Sequence, residues 1–357
     1  MLNIYNITAV VLFLFSLFTF SLGAKTKKVH VYLLISIIWL ILYEGLRWQI
    51  GTDWETYYSY FVDEQGEGHV EIGYQTLMNI VRTFTDNYTV LVLILTSFFY
   101  LTLASVLEKY ASAPLMSLTC YFCLMIGLMG CNRQLLALFI CLISLKYCFE
   151  KNFIKFVCCV LIAFLFHTTS IIFLISYFII NRNIENKYFV FAVVLSIVIG
   201  LSGIINRIPY LNLLVYLDAN SAEKLSYYAN DDIARYSYLG TIKRIVVLIP
   251  CLLRRKQIHD NRYGSFLNMY VIGCIVYFLF NGSMLQIMAA RGALYFNIFE
   301  ILIMPAFIKS TFKGKRQQMF VWLVYFIFII YIMNRDMNSY VITVGEDIYR
   351  PYKSVLF

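Results

Sequence analysis

The chain has 357 residues, 61% hydrophobic, 18% aromatic and only 14% charged, with a formal net charge of +9 and a mean hydropathy of +0.73. A soluble domain carries about 45–50% apolar and about 25% charged residues. A soluble enzyme is therefore excluded, and so is a disordered chain, which needs low hydrophobicity. Long unbroken apolar runs, instead of strict alternation, exclude an outer-membrane barrel. What remains is an all-α polytopic membrane bundle of about 10–12 transmembrane helices, taken as a single transmembrane domain over 1–357.

In chain order, Ile4–Leu22 is long enough to span, has no basic segment before it and no small-residue cleavage site, and reads as a first membrane helix, not a signal peptide. Further spans are predicted at Val31–Tyr43, Tyr88–Leu107, Pro114–Gly130, Leu135–Phe149, Tyr188–Ile205, Ile242–Leu253, Gly264–Phe280, Gly292–Ile308 and Met319–Met333. Between them lies the apolar stretch Phe153–Ile180, interrupted at His167-Thr168-Thr169-Ser170. Basic residues are retained in cytoplasmic loops. The clusters Lys25/Lys27/Lys28, Lys151/Lys155, Arg254/Arg255/Lys256/Arg262 and Lys313/Lys315/Arg316 all fall inside if both termini face out. That parity requires Phe153–Ile180 to be two short helices meeting near the outer face at His167; one long helix would put the Arg254 cluster outside. The inner side then holds 17 Lys+Arg and 4 Asp+Glu, the outer side 12 and 15, with Glu300 inside a helix. The positive excess is a topology signal and does not imply a nucleic-acid partner. The cysteines sit almost wholly in apolar runs. The pair Cys120/Cys123 has no second pair to complete a zinc site and reads as small packing side chains.

Two outer segments, Glu44–Asn87 and Asn206–Gly240, exceed ordinary turns, and the tail Asn334–Phe357 also faces out. Both loops are rich in tyrosine, among them Tyr57, Tyr58, Tyr60, Tyr74, Tyr227 and Tyr228. Interfacial tyrosines form aromatic belts, and they can equally stack on sugars while hydrogen-bonding hydroxyls. Residues 71–81 read as an amphipathic helix lying on the membrane, with Ile72, Leu77, Ile80 and Val81 as its apolar side.

The informative charges border apolar helices, where they are costly and face a bundle interior or an aqueous cavity. Arg47, Arg133 and Arg291 fall at one depth under this topology, and each guanidinium can grip phosphate oxygens as a fork. A rim arginine can also simply snorkel to lipid phosphates. His167 is either a hydrogen-bonded structural residue or a base titrating near neutrality. Asp53 and Glu71 lie in the first outer loop. No nucleotide-binding, serine-hydrolase or zinc-protease pattern stands in a fitting context.

The ordered set Arg47…Gly51-Thr52-Asp53…Tyr57, Glu71-Ile72-Gly73-Tyr74…Leu77, Asn132-Arg133-Gln134…Ala137, Phe166-His167-Thr168-Thr169-Ser170, Arg291…Tyr295-Phe296…Pro305 and Arg350-Pro351-Tyr352-Lys353-Ser354 resembles the EpsG-like branch of the bacterial Wzy polysaccharide (O-antigen or exopolysaccharide) polymerases. The resemblance implies a GT-C-like, multi-pass glycosyltransferase of the bacterial inner membrane with its active site facing the periplasm. Such an enzyme moves a growing glycan from undecaprenyl diphosphate to the non-reducing end of a new lipid-linked repeat unit. It needs no metal or nucleotide sugar, and its partners are membrane lipid and a chain-length regulator protein. On this reading Arg133, Arg291 and Arg47 hold the diphosphate, with Arg47 alternatively a partner of Asp53. His167 is the first choice of general base, with Asp53 and Glu71 next, and Tyr57, Tyr74, Tyr227 and Tyr228 contact sugar. The rivals are an O-antigen ligase, a lipid-linked oligosaccharide flippase and a membrane acyltransferase.

Overall fold

The computed structural model describes residues 3–356 apart from 23, 25, 64–69, 208–235 and 259. Among the described residues the chain is helical and has no strand, only an isolated antiparallel bridge between Arg47 and Ser354. It is a polytopic membrane bundle. Five helices are long and apolar enough to cross a membrane, a sixth span is supplied if one bent helix pair counts as one, and five shorter apolar helices accompany them. Large apolar side chains such as Phe18, Ile154, Phe191 and Phe320 stand exposed on these helices, as lipid-facing residues do.

The chain divides into two compact units, one formed by Met1–Ile171 with Met304–Phe357 and the other by Ile172–Ile303. The first contains α1 (Ile4–Thr19), α2 (Lys27–Gly45), α3 (Trp54–Val62), α4 (Ile72–Arg82), α5 (Tyr88–Tyr110), α6 (Pro114–Met125), α7 (Asn132–Phe149) and α8 (Phe153–Phe164). Helix α6 is buried all round, every residue from Pro114 to Leu124 included, and it forms the core of the unit. Phe99 of α5 stacks on Phe139 of α7 at 5.2 Å, and Tyr121 of α6 packs on the same Phe139 ring.

Helices α5 and α7 run parallel. Tyr88 and Asn132, their first residues, meet at 3.5 Å, and Tyr110 and Phe149, their last, have ring centroids 5.6 Å apart. The first turn of α1 sits at the Tyr88 end too, because the Tyr5 hydroxyl donates to the Tyr349 carbonyl and its ring packs against Tyr43 near the end of α2. One end of this unit thus gathers the start of α1, the end of α2 and the chain's tail. Lys27, Lys109 and Lys146 occupy helix ends of the opposite polarity.

The second unit comprises α9 (Ile175–Ile179), α10 (Asn186–Leu201), α11 (Tyr238–Leu253), α12 (Tyr263–Phe280), α13 (Leu294–Asn297) and the start of α14 (Glu300–Thr311). Buried Asn268 of α12 donates to the carbonyls of Ile179 and Arg182, fixing the chain between α9 and α10. Glu300, 3% exposed, accepts from the Tyr270 hydroxyl, so this intramembrane carboxylate is held by a neighbouring helix.

Several sequence boundaries move. The last helix, α15, covers Lys315–Val344, about 45 Å at 1.5 Å per residue. The tail expected from Asn334 begins only at Gly345, because a polar stretch after an apolar run continues a helix as long as no breaker intervenes. Gly345 supplies that breaker with φ +84°. The expected span Gly292–Ile308 is broken instead, bent by 46° between α13 and α14. The stretch Phe153–Ile180 is interrupted: α8 ends at Phe164, and a 3₁₀ segment, Thr168–Leu174, leads into α9.

Candidate functional site

Helix α2 ends at Gly45, and the next eight residues fold into a tight turn over the start of α7. Two glycines permit this. Gly51 and Gly130 have φ of +109° and +103°, and a Cβ on either would stand 2.6–2.7 Å from the other loop's backbone. Thr52 N–H consequently reaches the Met129 carbonyl at 3.0 Å. The tail completes the layer. Trp48 N–H donates to Lys353, Gly51 N–H to Ile348 and Val355 N–H to Leu46, while the Tyr352 ring stacks on Tyr43 at 5.0 Å.

Beneath this layer lies Arg47, only 2% exposed. Its guanidinium donates to the carbonyls of Ile50 and Glu44 at 3.1 and 2.6 Å and to Asn132 Oδ1 at 3.3 Å, and it faces the Glu44 carboxylate at 3.7 Å. Tyr100 donates to Glu44 at 2.7 Å, and Asn132 Nδ2 points to the hydroxyls of Tyr74 and Tyr88, both at 3.5 Å. Arg47 is thus an interior residue, and its carboxylate partner is Glu44, not Asp53. Asp53 is half-buried as the residue capping α3, its carbonyl accepting from Tyr57 N–H.

Arg133, one residue after Asn132, projects to the rim. Nη1 donates to Glu71 Oε2 at 2.5 Å, Nε donates to the Tyr57 hydroxyl at 3.0 Å, and the guanidinium carbon lies 5.5 Å from the Tyr57 ring centre. The two charged side chains are 23% and 21% exposed. Nη2 makes no hydrogen bond among the described residues, so one edge of the fork faces outward. Burial pushes the phenols of Tyr57 and Tyr74 well above their ordinary value; both are neutral hydroxyls that hold Arg133 and Asn132 in place.

His167 is joined to this rim through the backbone. Gly73 N–H donates to the Leu165 carbonyl at 2.9 Å, and a Cβ at Gly73 would stand 2.7 Å from that oxygen. Glu71, two residues before the contact, and His167, two after it, are therefore carried by one junction. His167 is 6% exposed, and its Nδ1 lies 2.7 Å from the Thr169 hydroxyl.

Helix α4 covers Ile72–Arg82 but buries Tyr74, Met78 and Val81. The spacing i, i+4, i+7 is a helical stripe, and it faces the bundle. Ile72 and Ile80, expected on one apolar side with Val81, are exposed at 66% and 53%. The helix packs inward on one stripe and presents a second one outward. Tyr57 and Tyr74, at 2% and 0% exposure, do not present ring faces to a ligand. Trp48, Tyr58 and Tyr60 are half-buried; Trp48 and Tyr58 have ring centroids 5.8 Å apart and are both set on Trp54. Trp54, Tyr57 and Phe61 form the buried stripe of α3, which leaves Tyr58 on the other face. Tyr227 and Tyr228 lie outside the described residues.

In the second unit Arg291 lies half-buried in a π-helical turn, Met288–Gly292, ahead of α13. Such turns are rare and frequent at functional sites. Buried Tyr295 and Phe296 follow it, with Phe173 packed on both rings.

A family model described as the EpsG family matches residues 30–354, nearly the whole chain. No curated protein and no solved structure matches it.

Proposed function

The chain belongs to the EpsG family of polysaccharide polymerases, and from that premise we propose the following reaction. The protein polymerises undecaprenyl-diphosphate-linked oligosaccharide repeat units at the outer face of the bacterial inner membrane. The end of the bundle carrying Arg133 faces the periplasm. One observation supports the site above others: the Arg133–Glu71 pair at a partly exposed rim, with Nη2 making no hydrogen bond among the described residues and Nε held by Tyr57.

In the reaction a hydroxyl at the non-reducing end of the acceptor unit attacks the anomeric carbon of the donor glycan. The new glycosidic C–O bond forms as the anomeric C–O bond to diphosphate breaks, and the hydroxyl proton passes to a base. Undecaprenyl diphosphate leaves with the electron pair. Charge grows on the leaving oxygens, and a preorganised guanidinium fork stabilises it. Arg133 takes this role. Phosphate on Arg133 displaces Glu71, and the released carboxylate is then the proton acceptor nearest the fork. His167, tied to Glu71 by the Gly73–Leu165 bond, is a positioning residue, and Arg47 holds Asn132 and the turn from within. Trp48 and Tyr58 offer the aromatic surface for sugar. For Arg291 we propose phosphate chemistry as well: Arg291→Ala should leave the single-repeat lipid-linked unit and remove polymer, and long polymer at normal protein level would refute it.

The test is a gel of surface glycan from a deletion strain. Loss of the ladder with a retained single-repeat band supports polymerisation; complete loss of surface glycan favours a ligase or a flippase and overturns it.

A further inference from the structure

Along the contact between α5 and α7 runs a groove of about 360 Å³, lined by Leu101, Thr102, Ser105, Val106, Leu142 and Ile143, with Lys109, Tyr110 and Lys146 at one end. Its geometry follows from helical spacing. Leu101, Ser105 and Lys109 stand at i, i+4 and i+8, one stripe on α5, and Ile143 and Lys146 stand at i and i+3 on α7. Because the two helices are parallel, both stripes end in lysine at the same depth. The Lys109 ammonium lies 5.3 Å from the centre of the Tyr110 ring, and that of Lys146 4.6 Å from the Tyr147 ring, with Lys155 at 5.9 Å from the same ring. Glu108, next to Lys109 in sequence, pairs with His30 of α2.

The groove is far from the rim at Arg133. Asn132 and Lys146 are fourteen residues apart on α7, about 21 Å at helical rise. A second groove of equal volume, between α1 and α2, is lined by apolar side chains such as Val11, Phe15 and Trp39 together with the hydroxyls of Thr8 and Ser36, and has no cation among its lining residues. Hydrocarbon alone would suit that one. The α5–α7 groove differs in joining its apolar trough to two ammonium groups at one end, which is the chemistry of an acyl chain ending in an anionic phosphate.

We propose that this groove is a binding site for an anionic diacyl phospholipid, with one acyl chain between α5 and α7 and the phosphate between Lys109 and Lys146. In the topology proposed above, the lipid belongs to the cytoplasmic leaflet. Its role is to hold the ends of α5 and α7 together, at the opposite end from the reacting groups.

The full-length protein is reconstituted in nanodiscs of equal phosphatidylglycerol and phosphatidylethanolamine and taken into mild detergent. The retained lipid is then quantified by mass spectrometry. The wild type retains phosphatidylglycerol about tenfold over phosphatidylethanolamine, in keeping with the attraction of two lysines near a lipid surface. Lys109→Gln/Lys146→Gln brings the ratio to that of the bilayer. Leu142→Trp, which fills the trough and keeps both charges, lowers retention as well. Lys27→Gln/Lys28→Gln, at the start of α2 and outside the groove lining, leaves it unchanged. An unaltered ratio in the double glutamine variant, an equal loss in the Lys27/Lys28 variant, or retention of added undecaprenyl phosphate in place of phosphatidylglycerol would overturn the proposal.

Discussion

Replacing Arg47 by methionine tests the claim that this arginine is interior support and not a ligand of substrate. In the wild type its guanidinium serves Ile50, Glu44 and Asn132 and faces the Glu44 carboxylate. The substitution keeps most of the volume but leaves Glu44, 6% exposed, with the Tyr100 hydroxyl as its remaining side-chain hydrogen bond in this network. Removing one partner of a buried pair costs about 3–5 kcal/mol, much of it the isolated charge that remains. At about 1.4 kcal/mol per decade that is a two- to nearly four-decade loss in the folded ratio. Glu44→Gln/Arg47→Met removes both charges together and should recover more than half of that loss. The assay is thermal unfolding in detergent followed by tryptophan fluorescence, alongside protein level in the membrane. A single variant as stable as wild type, or a double variant no better than the single, would refute the reasoning. So would an Arg47→Met protein of normal level and melting temperature that makes no polymer, since that result belongs to a substrate ligand.

Arg133→Lys keeps the charge but loses the planar fork; polymer length on surface-glycan gels should fall sharply at unchanged protein level, and wild-type ladders would argue against bidentate grip. Glu71→Gln should remove polymer, whereas His167→Ala should lower the melting temperature by the equivalent of about 1–3 kcal/mol and retain detectable ladders; the reverse ranking would make His167 the base. Gly73→Ala drives a Cβ onto the Leu165 carbonyl, 2.7 Å away; it should destabilise by about 1–3 kcal/mol and shorten polymer, and a neutral outcome would remove the junction from the account. The alkaline limb follows from Tyr352, whose phenol burial pushes from the ordinary 10.0 up to about 12. The unfolded chain loses this proton first, so the contribution is intact below about pH 10 and is lost as pH rises toward 12. Tyr352→Phe should flatten that part of a melting-temperature profile.

Much of the fold was legible because apolar runs of membrane length leave few alternatives, and the polar residues His167-Thr168-Thr169-Ser170 mark the interruption between α8 and α9. The site was legible in part. Arg133 stands in a short turn between two apolar runs, so its rim position follows from sequence. The burial of Arg47 does not, because it depends on Asn132, Glu44 and a tail three hundred residues away, joined through Gly51 N–H to Ile348 and Trp48 N–H to Lys353. Nor could spacing separate Tyr57 from Tyr58: periodicity names the two faces of α3, and only the packing of Tyr74 and Arg133 decides which one is covered. Likewise the two apolar stripes of α4 look like one in a linear list. The Glu71–Arg133 pair joins residues 62 positions apart, and no local pattern carries such a pairing.

The central claim is that the outward edge of Arg133 holds the diphosphate of a lipid-linked glycan during polymerisation. The direct measurement is the glycan ladder of a deletion strain complemented with Arg133→Ala at wild-type protein level in the membrane. A single-repeat band with no polymer above it is the expected result. Long polymer from that strain would contradict it.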